Sequence, residues 1–269
     1  MSNNSNKIRL AINGAAGRMG QRLVALGSAN PKLEIAAAIE SSSHPRYGQD
    51  AGVVAGVGEL GVALNDTLPE NIDVVIDFSV PQGTQRIVEM CLAQNTALVV
   101  ATTGLEESQQ AMLKSASEKI PLLWSPNTSL AVNLAMKLSL VAAESLAGHS
   151  SGVDVEIIER HHRFKEDSPS GTALKFGEII AEAMGQTKEQ HGRQGRPGQR
   201  PQDEIGYHAV RIGDNPGEHT ICFGMLGETV EVTVKATSRD CYALGALEAA
   251  QFLHGKPQGM YAMADVLGL

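Results

Sequence analysis

Aromatic side chains are scarce in this chain: one Trp, four Tyr and five Phe among 269 residues. Ala, Val, Leu and Ile must therefore fill the interior, and at 42% hydrophobic content they suffice for one large core or two moderate ones. Cysteine is also sparse. Cys91, Cys222 and Cys241 are scattered, odd in number and without CxxC spacing, which fits reduced thiols in a cytoplasmic protein better than a disulfide framework. No apolar run is long enough to span a bilayer, and the polar start MSNNSN has no apolar h-region, so neither a membrane span nor a leader is expected. Basic residues are outnumbered 22 to 30 by acidic ones, giving a net charge of −8 with no long basic stripe. That excludes a general nucleic-acid binder.

What is present is an alternation of short β-rich runs and helical patterns. Strands are expected at Ile8–Ile12, Ile35–Ile39, Val74–Ile76, Leu98–Val100 and Leu122–Trp124, with helices at Arg18–Leu26, Gly83–Gln94 and Glu107–Lys119 between them. Nearly continuous apolar strands separated by helices imply a parallel sheet covered on both faces, hence a Rossmann-type doubly wound domain. The pattern changes after Asn127. A helix over about Leu130–Leu146 leads to a strand from Val153, a second helix covers about Thr172–Met184, and strands follow at Tyr207–Ile212, Thr220–Phe223 and Val230–Val234. Glycine-containing turns between these last three predict mostly antiparallel pairing, in an α+β domain. The expected fold class is α/β, with a dinucleotide-binding domain at 1–129 completed by a C-terminal helical segment at 241–269, and a second domain at 130–240. Residues 186–206 are polar, rich in Gly, Arg and Pro, and read as a long loop, functional or disordered. Its Arg193, Arg196 and Arg200 read as solvated or as a subunit contact.

The first strand runs into Gly14-Ala15-Ala16-Gly17-Arg18-Met19-Gly20. The spacing is GxxGxxG, not the common GxGxxG, yet the mechanical needs are met: a tight turn, close backbone approach to a pyrophosphate, and helix packed on strand. Glu40 lies at the end of the second strand, where a carboxylate can accept hydrogen bonds from ribose hydroxyls. Three further loops, Asp77-Phe78-Ser79, Ala101-Thr102-Thr103-Gly104 and Ser125-Pro126-Asn127-Thr128, fall at the carboxyl ends of the other strands. Short polar residues there are also ordinary turn chemistry; their shared sheet edge favours a cofactor cleft.

The most reactive stretch is Glu159–Ala173, ERHHRFKEDSPSGTA. His161, His162 and Lys165 follow an apolar strand and precede a Ser-Pro-Ser-Gly-Thr turn that opens an amphipathic helix. A helix start offers backbone N–H groups and the positive end of a dipole, Lys165 adds a charge, and an imidazole moves protons near neutral pH. The combination suits a small carboxylate substrate and proton transfer; a solvated basic loop before a capped helix is the plainer alternative. Metal binding is not expected, because successive histidines on a loop rarely converge and no HxxxH or Cys partner is present.

These motifs together resemble the dihydrodipicolinate reductase family. The resemblance rests on GxxGRMG near the start, DFSxP at Asp77–Pro81, ATTG at Ala101–Gly104, HHRFKEDSPSGTA at His161–Ala173 and GEHT at Gly217–Thr220. It implies hydride delivery from NADH or NADPH to a cyclic dicarboxylate in lysine and diaminopimelate biosynthesis, by a homotetramer. Carried over by position, it implies His161 as the catalytic proton donor or acceptor, Lys165 as the second proton donor, and His162, Ser170, Gly171 and Thr172 as substrate-binding, with the second domain serving substrate binding and oligomerisation. It assigns the cofactor to Gly14, Ala15, Ala16, Gly17, Arg18, Met19, Glu40, Ala101, Thr102, Thr103, Ser125, Pro126, Asn127 and Thr128. Many members carry Arg directly after the acidic ribose-binding residue. Here Ser41-Ser42-Ser43-His44 follows Glu40, so NADH is expected to serve at least as well as NADPH, with His44 or Arg46 as partial compensation. Thr128 replaces a larger apolar residue and Ala131 a frequent Gly. Two alternatives stay open: another two-domain dehydrogenase of amino or oxo acids, of aspartate or homoserine type, and a non-catalytic NAD-binding regulator.

Overall fold

Val74, Val75 and Ile76 are all fully buried in a strand of only four residues, Val74–Asp77, which requires cover on both faces of its sheet. The computed structural model describes residues 7–269, and the polar start at 1–6 lies outside them. It divides into two compact units, one reaching to Leu130 and resuming over Tyr242–Leu269, the other Ala131–Cys241.

In the first unit the elements run β1 (Ile8–Asn13), α1 (Arg18–Ala29), β2 (Leu33–Ile39), α2 (Ala51–Ala55), β3 (Leu64–Asn65), β4 (Val74–Asp77), α3 (Pro81–Gln94), β5 (Ala97–Val100), α4 (Glu107–Ser117) and β6 (Pro121–Trp124). The strands form a parallel sheet in which β1 lies between β2 and β4. Chain order therefore runs outward in both directions from the β1/β4 pair, the switch point at which such sheets bind ligands. Alternation divides the core cleanly. Leu10, Ile12, Val74, Ile76 and Val99 pack on one face, while Ala11, Val75, Leu98 and Val100 pack on the other.

The second unit contains α5 (Leu130–Leu146), β7 (Asp154–His161), α6 (Gly171–Met184), β8 (Lys188–His191), β9 (Glu204–Arg211), β10 (Gly217–Met225) and β11 (Glu228–Ala236). Its sheet order is β11-β10-β7-β9-β8. The sheet is mixed: β10 pairs antiparallel with both β11 and β7, whereas β9 runs parallel to β7 and to β8. The turn between β9 and β10 does not close a hairpin, because β7 lies between them. Nor is 186–206 a bare loop; it supplies β8, and two of its arginines are paired. Arg193 reaches Glu156 and Glu204, and Arg200 reaches Glu156 and Asp154, at 2.6–2.8 Å. The expected alternation in β11 buries only Val234. Val230 is exposed because β11 is an edge strand.

The chain then returns to the first unit with α7 (Asp240–Leu253), β12 (Gly259–Tyr261) and α8 (Met263–Leu267). Ala243, Ala246, Leu247 and Ala250 of α7 are buried in the first unit's core, and β12 extends the parallel sheet beside β6. That short strand carries too little pattern to be read in advance. No helix of the described residues is long and apolar enough to cross a membrane.

Candidate active site

At the switch point the glycine-rich turn and the β4 loop touch. Gly14 has φ +78°, and a Cβ on it would lie 2.7 Å from the Phe78 carbonyl oxygen; one on Gly20 would strike the Gly14 carbonyl. Only glycine fits either place. Gly17 caps α1 without a side-chain hydrogen bond, so the twelve-residue helix presents its amino end to the turn. Glu40, just beyond β2, accepts hydrogen bonds from the Ala16 amide (3.1 Å) and the Ser41 amide (3.0 Å). Ala15 and Ala16 are buried, Met19 packs partly on the core, and Arg18 is exposed. These features fit a dinucleotide: an uncapped helix end for a pyrophosphate and an oriented carboxylate for a ribose.

The neighbouring loops are tied together by the first residue of the Asp77-Phe78-Ser79 loop, which the resemblance does not assign to the cofactor. Asp77 is fully buried and accepts from Asn13 Nδ2 (2.8 Å), Ser79 Oγ (2.5 Å), Thr84 Oγ1 (2.6 Å) and Thr102 Oγ1 (2.9 Å). The Thr102 hydroxyl is thus turned into the protein. Thr128 is similar: it is buried and donates to the Tyr242 carbonyl (2.7 Å), beneath Gly245, where a Cβ would collide with the Thr128 oxygen. Both residues can meet a ligand only through their backbones. Ser125 Oγ donates to the Asn127 carbonyl, and Asn127 Oδ1 accepts from the Ser129 amide, which fixes the shape of that loop.

In the second unit the reactive side chains gather around the end of β7. His161 is buried, and its Nδ1 lies 2.5 Å from Glu159 Oε2. Glu159, 1% exposed, also accepts from both Arg211 Nη atoms (2.8 Å each) and from the Ser170 amide (3.1 Å). Burial pushes the Glu159 carboxyl up, but the Arg211 and His161 hydrogen bonds outweigh it and hold the group below its ordinary value. Burial pushes His161 down, and Glu159 offsets this only in part. Ser170 caps α6 by accepting from the Ala173 amide, and its hydroxyl lies 3.0 Å from His219 Nε2. His219 packs edge-on to His161 at 5.2 Å, and burial holds its pKa at about 4. Lys165 Nζ donates to Asp167 (2.7 Å). Gly171 and Thr172 form the first turn of α6, while His162 Nδ1 is buried without a hydrogen-bond partner among the described residues.

The structure thus gathers His161, Lys165 and Ser170 with His219 of the GEHT motif, which the sequence left between pocket and core duty, and with two residues not singled out: Glu159 and Arg211. Glu159 carried a signal, since it stands two residues before His161 and shares its face of the strand. Arg211, 52 residues from Glu159, carried none; the parallel register that pairs it with His161 becomes visible only in the fold. Among the described residues no group of three or more His, Cys, Asp or Glu side chains is placed to hold a metal ion.

Comparison with known proteins gives consistent matches. Residues 8–128 match the family described as dihydrodipicolinate reductase, N-terminus, and 131–267 the one described as dihydrodipicolinate reductase, C-terminus. A 4-hydroxy-tetrahydrodipicolinate reductase of Rhodopirellula baltica is 50% identical over 100% of this chain and 99% of its own. Another, from Alkalilimnicola ehrlichii, is 45% identical over 97% of this chain and 99% of its own. Among solved structures, a dipicolinate-bound dihydrodipicolinate reductase from Paenisporosarcina sp. TG-14 superposes with a TM-score of 0.76 at 25% identity, covering 96% of this chain and 98% of that one.

Proposed function

The chain belongs to the dihydrodipicolinate reductase family, and on that premise we propose that it reduces 4-hydroxy-tetrahydrodipicolinate to tetrahydrodipicolinate in lysine and diaminopimelate biosynthesis, with His161 and Lys165 as proton donors. The observation that carries this reading is the buried His161, held by Glu159 beside the capped start of α6. The reaction takes in one hydride and one proton and releases one water. Bound NADH or NADPH supplies the hydride.

The protein's own groups do the rest. The Lys165 ammonium, His162 and the first-turn amides at Gly171 and Thr172 hold the two carboxylates of the substrate. His161 rests mainly neutral because burial disfavours its charged form. A dianion arriving beside it favours the imidazolium, so substrate binding loads the proton that His161 then delivers. Such general acid catalysis contributes roughly 10²–10⁴ in rate. Lys165, held by Asp167, stands as the second donor, for the departing hydroxyl; that loss of water also releases a proton from the neighbouring ring carbon, so two protons donated and one released leave the single net proton.

For the cofactor, Gly14, Ala15, Ala16, Gly17, Arg18 and Met19 receive the pyrophosphate at the start of α1, and Glu40 receives the ribose hydroxyls. Ala101, Thr102 and Thr103, with Ser125, Pro126, Asn127 and Thr128, line the remainder, Thr102 and Thr128 through their backbones. Because the Glu40 carboxylate is anchored by two amides, it repels a 2′-phosphate, and NADH serves at least as well as NADPH. The enzyme works in the cytoplasm as a homotetramer assembled through the second unit; the exposed apolar Ile212, Leu226 and Val230 there support this, and light scattering tests it.

A coupled assay with freshly generated 4-hydroxy-tetrahydrodipicolinate, followed by nicotinamide absorbance, is the test. Turnover with either cofactor, and kcat/KM for NADH no lower than for NADPH, are expected. Cofactor binding without turnover would favour a non-catalytic NAD-binding protein instead.

A further inference from the structure

The Glu159 carboxylate has four donors around it: two from Arg211, the Ser170 amide and the His161 ring. Arg211 is always protonated and an amide cannot accept, so Glu159 stays an acceptor on both oxygens. The ring atom facing it must then be the donor. A neutral imidazole has one N–H, and Glu159 claims it for Nδ1, which leaves Nε2 with a lone pair. The surroundings of Nε2 agree. A Cβ on Gly217 would lie 2.9 Å from it, so the glycine at the start of β10 leaves that edge of the ring uncovered by a side chain.

We propose that Glu159 and Arg211 are positioning residues for His161: Arg211 clamps Glu159, and Glu159 holds the imidazole in the Nδ1–H tautomer, so that Nε2 is the atom that exchanges protons with the substrate. This rests on the proton-transfer reading of His161. The groups facing the ring come from four elements: Glu159 on β7, Lys165 on the loop after it, Arg211 at the end of β9 and His219 on β10. Lys165 and Arg211 disfavour the imidazolium, as does burial; His219 is held neutral by its own burial. Glu159 is the anion of this set, and removing its charge leaves influences that all oppose protonation.

Imidazole 15N NMR on the full chain labelled at histidine tests the proposal, with His161→Gln to assign the resonance and pH profiles of kcat/KM alongside. Wild-type His161 is expected as the Nδ1–H tautomer. Glu159→Gln should shift the balance toward Nε2–H, move the His161 limb of the profile to lower pH and lower kcat by about 10²-fold or more, with NADH affinity unchanged. Arg211→Lys, which keeps the charge but loses the two-pronged grip, should fall between the two. The proposal is overturned if wild-type His161 carries its proton on Nε2, or if Glu159→Gln leaves tautomer and pH limb in place. Should Glu159→Gln fail to fold, the wild-type tautomer and the Arg211→Lys profile decide on the same terms. A correct tautomer in a protein without turnover would sink the reductase reading and, with it, the proton exchange at Nε2, leaving only the positioning of the ring by Glu159 and Arg211.

Discussion

Each unit buries a carboxylate almost completely, and the two are used in opposite ways. Asp77 in the first unit is surrounded by neutral donors: an amide side chain and three hydroxyls, drawn from the ends of β1, β4 and β5 and from α3. None of these can change charge near neutral pH, so Asp77 acts as a fixed knot that holds these loops in shape. Glu159 in the second unit is held by a guanidinium and by a titratable ring. Its charge is matched by a permanent cation, which frees it to bias a proton on its other neighbour. Burial sets the cost in both cases; the partners decide whether the carboxylate builds shape or proton chemistry.

The largest effect that would sharpen this contrast is on turnover. His161→Gln should lower kcat by roughly 10²–10⁴ while equilibrium NADH binding, followed by nicotinamide fluorescence, stays near wild type. Asp77→Asn should do the reverse. It places two N–H donors among donors, at a cost of about 1–3 kcal/mol per buried group left unpaired. A rise in KM for NADH with an unmoved pH profile is expected from steady-state kinetics; a moved profile would break the distinction. A smaller effect concerns the ribose. Glu40→Gln should lower the NADH/NADPH ratio of kcat/KM by several-fold, since it removes the charge that repels a phosphate.

The smallest effects are on stability. The folded second unit keeps His219 neutral to about pH 4, whereas the ordinary value is 6.5. The unfolded chain therefore binds the extra proton between these values. This contribution is complete above pH 6.5 and falls as pH drops toward 4. His219→Gln should flatten urea midpoints over that window. Glu156 acts lower: burial raises its pKa, but Arg193, Arg200 and His208 together bring it from 4.5 to about 2, so its stabilisation is present above 4.5 and lost on acidification toward 2. Arg193→Ala should weaken that dependence, and a midpoint series in acid buffers would reveal it.

Most of the first unit could be read in the chain, because β-strands buried on both faces are apolar at every position and a GxxGxxG turn has few uses. The reactive segment at 161–172 was readable for the same reason: its chemistry is local. What escaped was non-local. Arg211 reaches Glu159 through the register of β9 on β7, and Arg193 and Arg200 look like loop charges until β8 and β9 bring them against Glu156. Thr102 and Thr128 sit where a cofactor loop should be, yet their hydroxyls turn inward to Asp77 and to the Tyr242 carbonyl. A motif fixes which residues stand at a site, but the fold decides which way each one points.

The division of labour between the units is tested most directly by measuring turnover and NADH affinity together in His161→Gln, using freshly generated substrate. Turnover should fall by about two orders of magnitude or more with the dissociation constant for NADH unchanged. Undiminished turnover in that variant would contradict the account.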